Sequence, residues 1–125
     1  MQLNPGYSNG KSGYSLVEIM IVVAIIGLIM TSTVPSFVRA RERAQQNSII
    51  NNLRNIQAAK DVWALELGKA TGDTPSQTDL APYMNKGSFP VPVSGETYNI
   101  ETVGNFPYAD LVSPIDGITR IIGSN

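Results

Sequence analysis

The apolar residues of this chain are concentrated near its amino terminus, in a run from Tyr14 to Val38 that contains a single charged residue, Glu18. An α-helix needs only about 20 mostly apolar residues to cross the hydrocarbon core of a bilayer. The pattern therefore predicts a membrane-spanning helix over this segment.

A second pattern predicts that the same helix continues beyond the apolar run. Apolar residues recur every three or four positions, which is typical of an amphipathic helix with one covered face. These residues are Val38, Ile49, Leu53, Ile56, Ala59, Trp63 and Leu67. Gly68 is a good helix stop, so we expect one helix from about Ser15 to Leu67, with a membrane-spanning half at 14–35 and an amphipathic half at 36–68.

Two residues weaken this helix. Pro35 has no N–H to donate to the carbonyl of Thr31. Gly27 lowers helix propensity by about 1 kcal/mol relative to Ala. We therefore expect the stretch from Gly27 to Pro35 to be the weakest part of the helix.

The remainder of the chain, residues 69–125, alternates between short predicted elements and loops. Residues 71–75 have a loop composition, and Thr78-Asp79-Leu80 is predicted to cap a short helix that ends near Met84. Residues 86–95 contain two prolines and are predicted to form an extended connection.

Two or three strands are predicted near the carboxyl terminus. Alternating β-forming residues indicate a strand at 97–103, and Gly104-Asn105 is a turn signal. A partner strand is expected around 106–112, followed by an extended piece at 118–122. A sheet of so few strands is not stable without a packing partner. We therefore predict an α+β fold in which a small antiparallel sheet lies on the amphipathic half of the helix.

Composition limits the possible chemistry. The 125 residues permit one small domain, and the net charge of −1 predicts no bulk attraction to nucleic acid. The chain has no Cys, so no disulfide indicates a compartment. It also has no His, so the common catalytic triads and most zinc sites are excluded. We predict that the chain is not an enzyme and needs no cofactor.

Glu18 is the unusual residue of the apolar run. A carboxylate near the bilayer centre costs roughly 2.5 to 3.5 kcal/mol, so it needs a partner. Cleavage between Gly13 and Tyr14 would release a positively charged amino group four residues earlier. An ion pair at about 4 Å is worth about 4 kcal/mol at an effective dielectric constant of about 20. The alternative is an acid at the membrane edge without a specific partner.

At these residues the sequence resembles a known family. Lys11-Ser12-Gly13, followed by Tyr14-Ser15-Leu16-Val17-Glu18 and an apolar run, resembles the prepilin processing site of type IV pilins and type II secretion pseudopilins. The resemblance extends to about Phe37. It implies that residues 1–13 are a leader peptide, removed by a prepilin peptidase, and that Tyr14 becomes N-methylated. The family usually begins its mature chain with Phe or Met, so Tyr14 is a departure.

The resemblance also implies a pilin-like fold and a filament. The precursor is expected to cross the inner membrane once and then to join a periplasmic or extracellular filament. Its expected partners are identical or homologous pilin subunits, the peptidase and an inner-membrane assembly platform. Within the filament, Glu18 is expected to neutralise the amino terminus of an adjacent subunit, and the helix is expected to unwind between Gly27 and Pro35. A gentle kink is the alternative for the unassembled subunit.

The amphipathic half carries a second, mixed stripe opposite its apolar face. This stripe contains Arg39, Arg43, Ile50, Arg54, Asp61 and Leu65. We interpret it as a subunit-packing surface whose arginines meet acids of other subunits, such as Glu42 or Glu66; a solvated face is the alternative.

The basic residues beside the apolar run conflict with the expected orientation. Lys11 precedes the run, whereas Arg39, Arg41 and Arg43 follow it. The positive-inside rule would therefore place the carboxyl-terminal side in the cytoplasm. The family places that side outside, and we adopt the family's orientation.

Asp110, Ser113 and Asp116 form one candidate metal site. They carry oxygen ligands of the kind that calcium prefers, and major pseudopilins hold calcium in a carboxyl-terminal loop. The spacing matches no calcium loop, and the Pro-Trp-Gly context of those pseudopilins is missing. An ordinary turn at Pro114 and Asp116-Gly117 is the preferred interpretation.

Two other functions are compatible with the sequence. One is a membrane-anchored adhesin or sensor that does not polymerise. The other is a secreted binding module, released by cleavage near Thr31-Ser32-Thr33, which resembles a signal-peptidase site. The sequence also does not distinguish a pilus from a secretion filament.

Overall fold

The computed structural model describes residues 2, 3, 6 and 13–124 of the chain. The chain divides into an amino-terminal unit that ends at Phe37 and a carboxyl-terminal unit that begins at Val38. The elements are α1 (Leu16–Leu67), α2 (Gln77–Leu80), a 3-10 turn (Ala81–Tyr83), and the strands β1 (Thr97–Asn99), β2 (Tyr108–Ile115) and β3 (Ile118–Ile122).

Helix α1 confirms the single long helix predicted from the sequence. It is 52 residues long and includes Pro35 without a break. It ends at Leu67, and the next residue, Gly68, has a φ of 61°, which lies in the left-handed region. The N–H of Lys69 then reaches back to the carbonyl of Ala64 at 2.9 Å. This is the helix end that glycine forms most readily, because it has no side chain to strain the left-handed conformation.

The core of the carboxyl-terminal unit lies along the predicted apolar face of α1. Its buried apolar residues there are Ile49, Leu53, Ile56, Ala59 and Trp63. The prediction was wrong for Val38 and Leu67, which are 48% and 55% exposed. They lie outside the segment of α1 that the rest of the unit covers, so helical spacing alone does not bury them.

The sheet is antiparallel, with the order β1-β2-β3. Tyr98 pairs with Ala109, and Ala109 pairs with Ile121. All three are buried, so they form the face of the sheet that contributes to the core. Strand β3 has the predicted bounds, whereas β1 ends at Asn99 and β2 runs from Tyr108 to Ile115, later than predicted.

A buried lysine explains why β1 is short. The ammonium group of Lys60 donates to the carbonyls of Ile100, Thr102 and Asn105 at 3.0, 3.2 and 2.5 Å. Glu101 between them has a φ of 60°, which is incompatible with a strand. Burial lowers the pKa of Lys60, while Asp61 and Glu101 act in the opposite direction. The loop therefore curls around a positive charge instead of continuing the strand.

The short helix begins earlier than predicted. Its N-cap is Ser76, not Thr78, and Asp79 completes a capping box by accepting the N–H of Ser76 at 2.9 Å. The bonds from Ser76 lower the pKa of Asp79. Residues 71–75 form the predicted loop, and residues 86–95 contain no helix or strand, as expected.

Glu96 anchors the end of that connection from inside the protein. Its side chain is buried, and its carboxylate accepts the N–H groups of Val93 and Ser94 and the hydroxyl of Tyr98. Burial raises the pKa of Glu96, but these hydrogen bonds outweigh burial and leave it lowered. The same network raises the pKa of Tyr98 through burial and its bond to Glu96.

Candidate assembly site

The apolar half of α1 exposes its side chains on all sides. By length and composition, α1 is able to cross a membrane, and none of its most apolar window is buried. Leu28 is 73% exposed and Phe37 is 71% exposed. Burying one such side chain is worth about 1.5 to 3 kcal/mol. This surface is therefore strongly disfavoured in water and suits lipid or other apolar helices.

Glu18 has a partner within its own chain. Its Oε2 accepts the backbone N–H of Ser15 at 3.0 Å, and its own N–H donates to the Ser15 hydroxyl at 3.3 Å. These two bonds form a capping box, which satisfies two N–H groups at the start of the helix. The signature Ser-x-x-Glu is visible in the sequence, although the partner predicted for Glu18 was an amino group.

The predicted cleavage position lies just outside the helix. Gly13, Tyr14 and Ser15 are non-helical, and Tyr14 is 87% exposed. A Cβ built on Gly13 would meet no atom within 4 Å. Among the described residues, nothing therefore crowds the bond between Gly13 and Tyr14. Lys11, the basic residue of the predicted leader, lies outside the described residues.

The predicted weak stretch is helical in the subunit. Hydroxyl groups in this stretch bond to carbonyls of the preceding turn, with Thr31 donating to Leu28 at 2.7 Å and Ser32 donating to Ile29 at 3.0 Å. Such bonds give backbone carbonyls a partner other than the helical N–H. Pro35 leaves the carbonyl of Thr31 without its helical donor. The helix is thus intact but poorly supported here, and its unwinding in a filament stays a prediction.

Arg39 and Arg43 lie beside a cleft of about 260 Å³ within the carboxyl-terminal unit. Glu42, Gln46 and Asp116 also line this cleft. In the described part of the chain, the only ion pair closer than 4 Å joins Arg120 to Asp110. The two arginines therefore make no close ion pair with the neighbouring acids in the isolated subunit.

The rest of the mixed stripe is narrower than predicted. Arg54, Asp61 and Leu65 are exposed, and Leu65 is 83% exposed. Ile50 is only partly exposed and packs against the core, so its assignment to the stripe was wrong. Ile50 lies on α1 beside the buried face, so the core partly covers its side chain.

The calcium candidates are not brought together. Asp110 bonds to Arg120 at 2.6 Å, which places a positive charge beside it. Asp110 and Asp116 are separated by most of β2, at about 3.3 Å per residue. One ion with ligands at about 2.3 to 2.6 Å cannot reach both. Asp116 and Gly117 have φ of 52° and 77° and form the tight β2–β3 turn.

Comparisons with known proteins concern mainly the amino-terminal half. Residues 8–34 match the prokaryotic N-terminal methylation motif. The chain is 31% identical over 77 residues to fimbrial protein Q of Moraxella bovis, which covers 58% of this chain and 49% of that protein. It is 29% identical over 56 residues to the type II secretion system core protein G of Aeromonas hydrophila, which covers 45% and 39%.

A third relative is the type IV major pilin protein PilA of Myxococcus xanthus, which is 38% identical over 48 residues, covering 38% of this chain and 22% of that protein. The chain thus spans less than half the length of these curated relatives. No solved structure matches it. The comparisons confirm the resemblance to type IV pilins and type II secretion pseudopilins.

Proposed function

We propose, on the premise of this prepilin-type amino terminus, that the chain is a structural subunit of a type IV pilus or a type II secretion filament. The subunit is made as a single-pass inner-membrane precursor and assembles through α1. The observation that carries the proposal is the apolar half of α1, in which the most apolar segment has no buried side chain. This half contains one acid near its start. Lipid covers this surface first, and helices of other subunits cover it afterwards.

Processing prepares the subunit for assembly. A membrane-embedded prepilin peptidase removes residues 1–13, and the new amino group at Tyr14 is methylated. The open, non-helical position of Gly13 and Tyr14 supports cleavage at this bond. The resulting filament is periplasmic or extracellular, and an inner-membrane platform adds the subunits.

Glu18 can cap its own helix and pair with a neighbour at the same time. The bond to Ser15 uses Oε2, and Oε1 has no hydrogen bond within the part of the chain that the structure describes, so it can accept the amino group of an adjacent subunit. An unpaired charge in a helix bundle is strongly disfavoured. The pair therefore sets the axial register of the subunits.

Two other parts of α1 contribute to assembly. The poorly supported stretch between Gly27 and Pro35 unwinds when the helices pack. Arg39 and Arg43 meet carboxylates of neighbouring subunits, which is supported by their exposure and by the absence of a close ion pair to either arginine among the described residues.

One observation favours a second candidate, a membrane-anchored protein that does not polymerise. The Ser15–Glu18 capping box gives the acid a partner without any neighbouring chain. The Glu18 carboxylate of a solitary anchor would therefore not lack a hydrogen-bond partner. The relatives include a pilin and a secretion protein, and a filament of like subunits is common to both classes.

The amino terminus of the mature protein tests the proposal. We expect mass spectrometry of native protein to find a chain that begins at Tyr14, and Gly13→Val to block this cleavage. Gly6→Val is the matched control, because Gly6 lies well before the cleaved bond, and it should be processed normally. Retention of residues 1–13, or a chain that begins beyond Thr31, would contradict the proposal.

Cross-linking in membranes separates the two candidates. A filament subunit should give a ladder of multimers with a regular mass increment, whereas a solitary anchor should remain a monomer. The same preparation analysed for its amino terminus shows whether absence of a ladder reflects failed processing or failed assembly.

A further inference from the structure

The cleft of about 260 Å³ in the carboxyl-terminal unit is lined by charges of both signs. Arg39 and Arg43 supply two positive charges, Glu42 and Asp116 supply two negative charges, and Gln46 is the fifth lining residue. None of the four charged groups forms an ion pair within 4 Å in the part of the chain that the structure describes. The charges therefore surround the cleft without neutralising one another by direct contact.

The cleft begins where the apolar run of α1 ends. Arg39 follows Val38, the last residue of that run, and Arg43 lies about one helical turn further along. A helix rises 1.5 Å per residue, so the two arginines are about 6 Å apart along the axis. The headgroup layer on each side of a bilayer is about 5 to 8 Å thick. In a membrane-inserted precursor, both arginines therefore lie at the depth of the lipid headgroups.

A contact between two elements brings Asp116 to this cleft. The side-chain amide of Gln46 on α1 donates to the carbonyl of Ile115, at the end of β2, at 3.4 Å. Asp116 is the next residue, and its φ of 52° together with the φ of 77° at Gly117 closes the turn tightly. The cleft is therefore built by the packing of the β2–β3 turn on α1, and not by helical spacing alone.

A ligand with charge of one sign does not suit this lining. A simple anion would meet the carboxylates of Glu42 and Asp116, and a metal cation would meet the two arginines; like charges in contact disfavour binding. A ligand that carries both charges meets a partner for each. Guanidinium groups bind phosphate through paired N–H donors, and carboxylates accept hydrogen bonds from a primary ammonium group, which has three donors.

We propose that the cleft binds the headgroup of a phospholipid that carries a phosphate and a primary ammonium group, as phosphatidylethanolamine does. The phosphate lies between Arg39 and Arg43, and the ammonium group donates to Asp116 and Glu42. This lipid site rests on the proposed membrane-inserted precursor and adds a lipid partner to it. It also gives the arginines a phosphate partner on the exported side, where the positive-inside rule does not expect them. Neighbouring subunits replace the lipid in the filament.

The test uses the full chain in detergent, with native mass spectrometry to count bound lipids and dioctanoylphosphatidylethanolamine as the probe. We expect one lipid per chain, bound about fivefold more tightly than dioctanoylphosphatidylcholine, whose quaternary ammonium group has no N–H to donate. Fivefold corresponds to about 1 kcal/mol, the upper value for an exposed ion pair. Dioctanoylphosphatidylglycerol has the phosphate but no ammonium group, so it should also bind more weakly than the probe.

Four variants assign the two halves of the headgroup. Asp116→Asn should remove the preference for the ethanolamine lipid and leave the affinity for the choline lipid unchanged, and Asn tolerates the left-handed conformation of this turn. Asp61→Asn is the matched control, because Asp61 is an exposed acid of α1 that does not line the cleft. Arg43→Gln should weaken all three phospholipids by a similar factor, whereas Arg54→Gln, at an exposed arginine outside the cleft, should not.

Three results would overturn the proposal: equal affinity for the ethanolamine and choline lipids, tightest binding of the glycerol lipid, or equal effects of Asp116→Asn and Asp61→Asn. Dimers without bound lipid that Asp116→Asn abolishes would also overturn it, because they would assign the cleft to a second subunit. Thermal denaturation of each variant verifies folding. Binding is measured on unassembled protein in detergent, and carbonate extraction of membranes tests insertion of the precursor separately.

Discussion

The two units of this chain differ in where their polar groups find partners. In the amino-terminal unit, Glu18 bonds to Ser15, only three positions away, and the apolar side chains are exposed. In the carboxyl-terminal unit, Lys60 is buried and bonds to Asn105, 45 positions away. The polar contacts of the first unit are thus local, and its apolar side chains depend on lipid or other chains for burial. The second unit has a hydrophobic core of its own.

The largest effect is expected in the amino-terminal unit, where Glu18→Ala or Glu18→Val should leave cleavage intact and abolish filaments. An ion pair of about 4 kcal/mol corresponds to roughly a thousandfold in an association constant. Electron microscopy of the filaments and mass spectrometry of the amino terminus measure the two effects separately.

Two further variants separate the charge of Glu18 from its capping role. Glu18→Gln keeps a capping box, because Gln accepts the same N–H, but it removes the charge. Ser15→Ala removes the cap hydroxyl and keeps the charge. If pairing sets the register, only the Gln variant loses filaments. Normal filaments from Glu18→Gln, with loss in Ser15→Ala, would show that capping is the essential role.

The second prediction concerns Lys60 in the carboxyl-terminal unit. Lys60→Met keeps most of the length of the side chain and removes three hydrogen bonds to backbone carbonyls. Hydrogen bonds to charged groups are worth about 1.5 to 3 kcal/mol each and are not additive, so we expect the free energy of unfolding to fall by about 3 kcal/mol. Chemical denaturation followed by Trp63 fluorescence measures it.

Lys86→Met is the control for Lys60→Met, because Lys86 is an exposed lysine of the same unit. It should change the free energy of unfolding by less than about 0.5 kcal/mol. Equal effects of the two substitutions would mean that the carbonyl ring contributes nothing to stability.

Much of helix α1 could be predicted from the sequence, because helix formation depends on local residue spacing. The apolar run, the stop at Gly68 and the buried residues from Ile49 to Trp63 all follow from spacing within α1. The capping boxes at Ser15 and Ser76 also have local signatures, although they were not recognised.

Burial of Lys60 could not be predicted in the same way. Its partners are backbone carbonyls 40 to 45 residues away, and backbone groups carry no sequence signal. The early end of β1 has the same origin, since the left-handed Glu101 belongs to the loop that Lys60 holds. A long-range contact therefore accounts for the wrong bound of β1.

A third prediction concerns pH and Glu96. Its folded-state pKa is lowered, so its contribution is present above the unfolded pKa of about 4.3 and is lost as pH falls through the lower, folded-state pKa. Glu96→Gln should lower stability at pH 7 by about 1 to 3 kcal/mol and should remove part of the stability change below about pH 4.5.

Denaturation curves measured from pH 7 down to pH 3 test the role of Glu96. Glu66→Gln serves as the control, since Glu66 is exposed at the end of α1 and should leave the pH dependence nearly unchanged. An unchanged pH dependence in Glu96→Gln would show that this carboxylate is not linked to folding.

The smallest effects are expected from the same substitution at two glycines, one inside α1 and one directly after it. These two variants also compare the two units most directly. Gly27 lies inside the helix, and a Cβ there meets no atom within 4 Å. Gly27→Ala should therefore strengthen the helix by up to about 1 kcal/mol. Gly68 has a φ of 61°, so Gly68→Ala should lower the stability of the carboxyl-terminal unit by about 1 to 2 kcal/mol.

Amide exchange across residues 24–34 reports on Gly27→Ala, and thermal denaturation reports on Gly68→Ala. The opposite signs follow from backbone conformation alone, because neither Cβ meets another group. If Gly27→Ala instead accelerates exchange, the helix near Pro35 already departs from ideal geometry at Gly27, and the weak stretch is preformed in the subunit. Slower exchange together with fewer filaments would indicate that assembly requires this stretch to unwind.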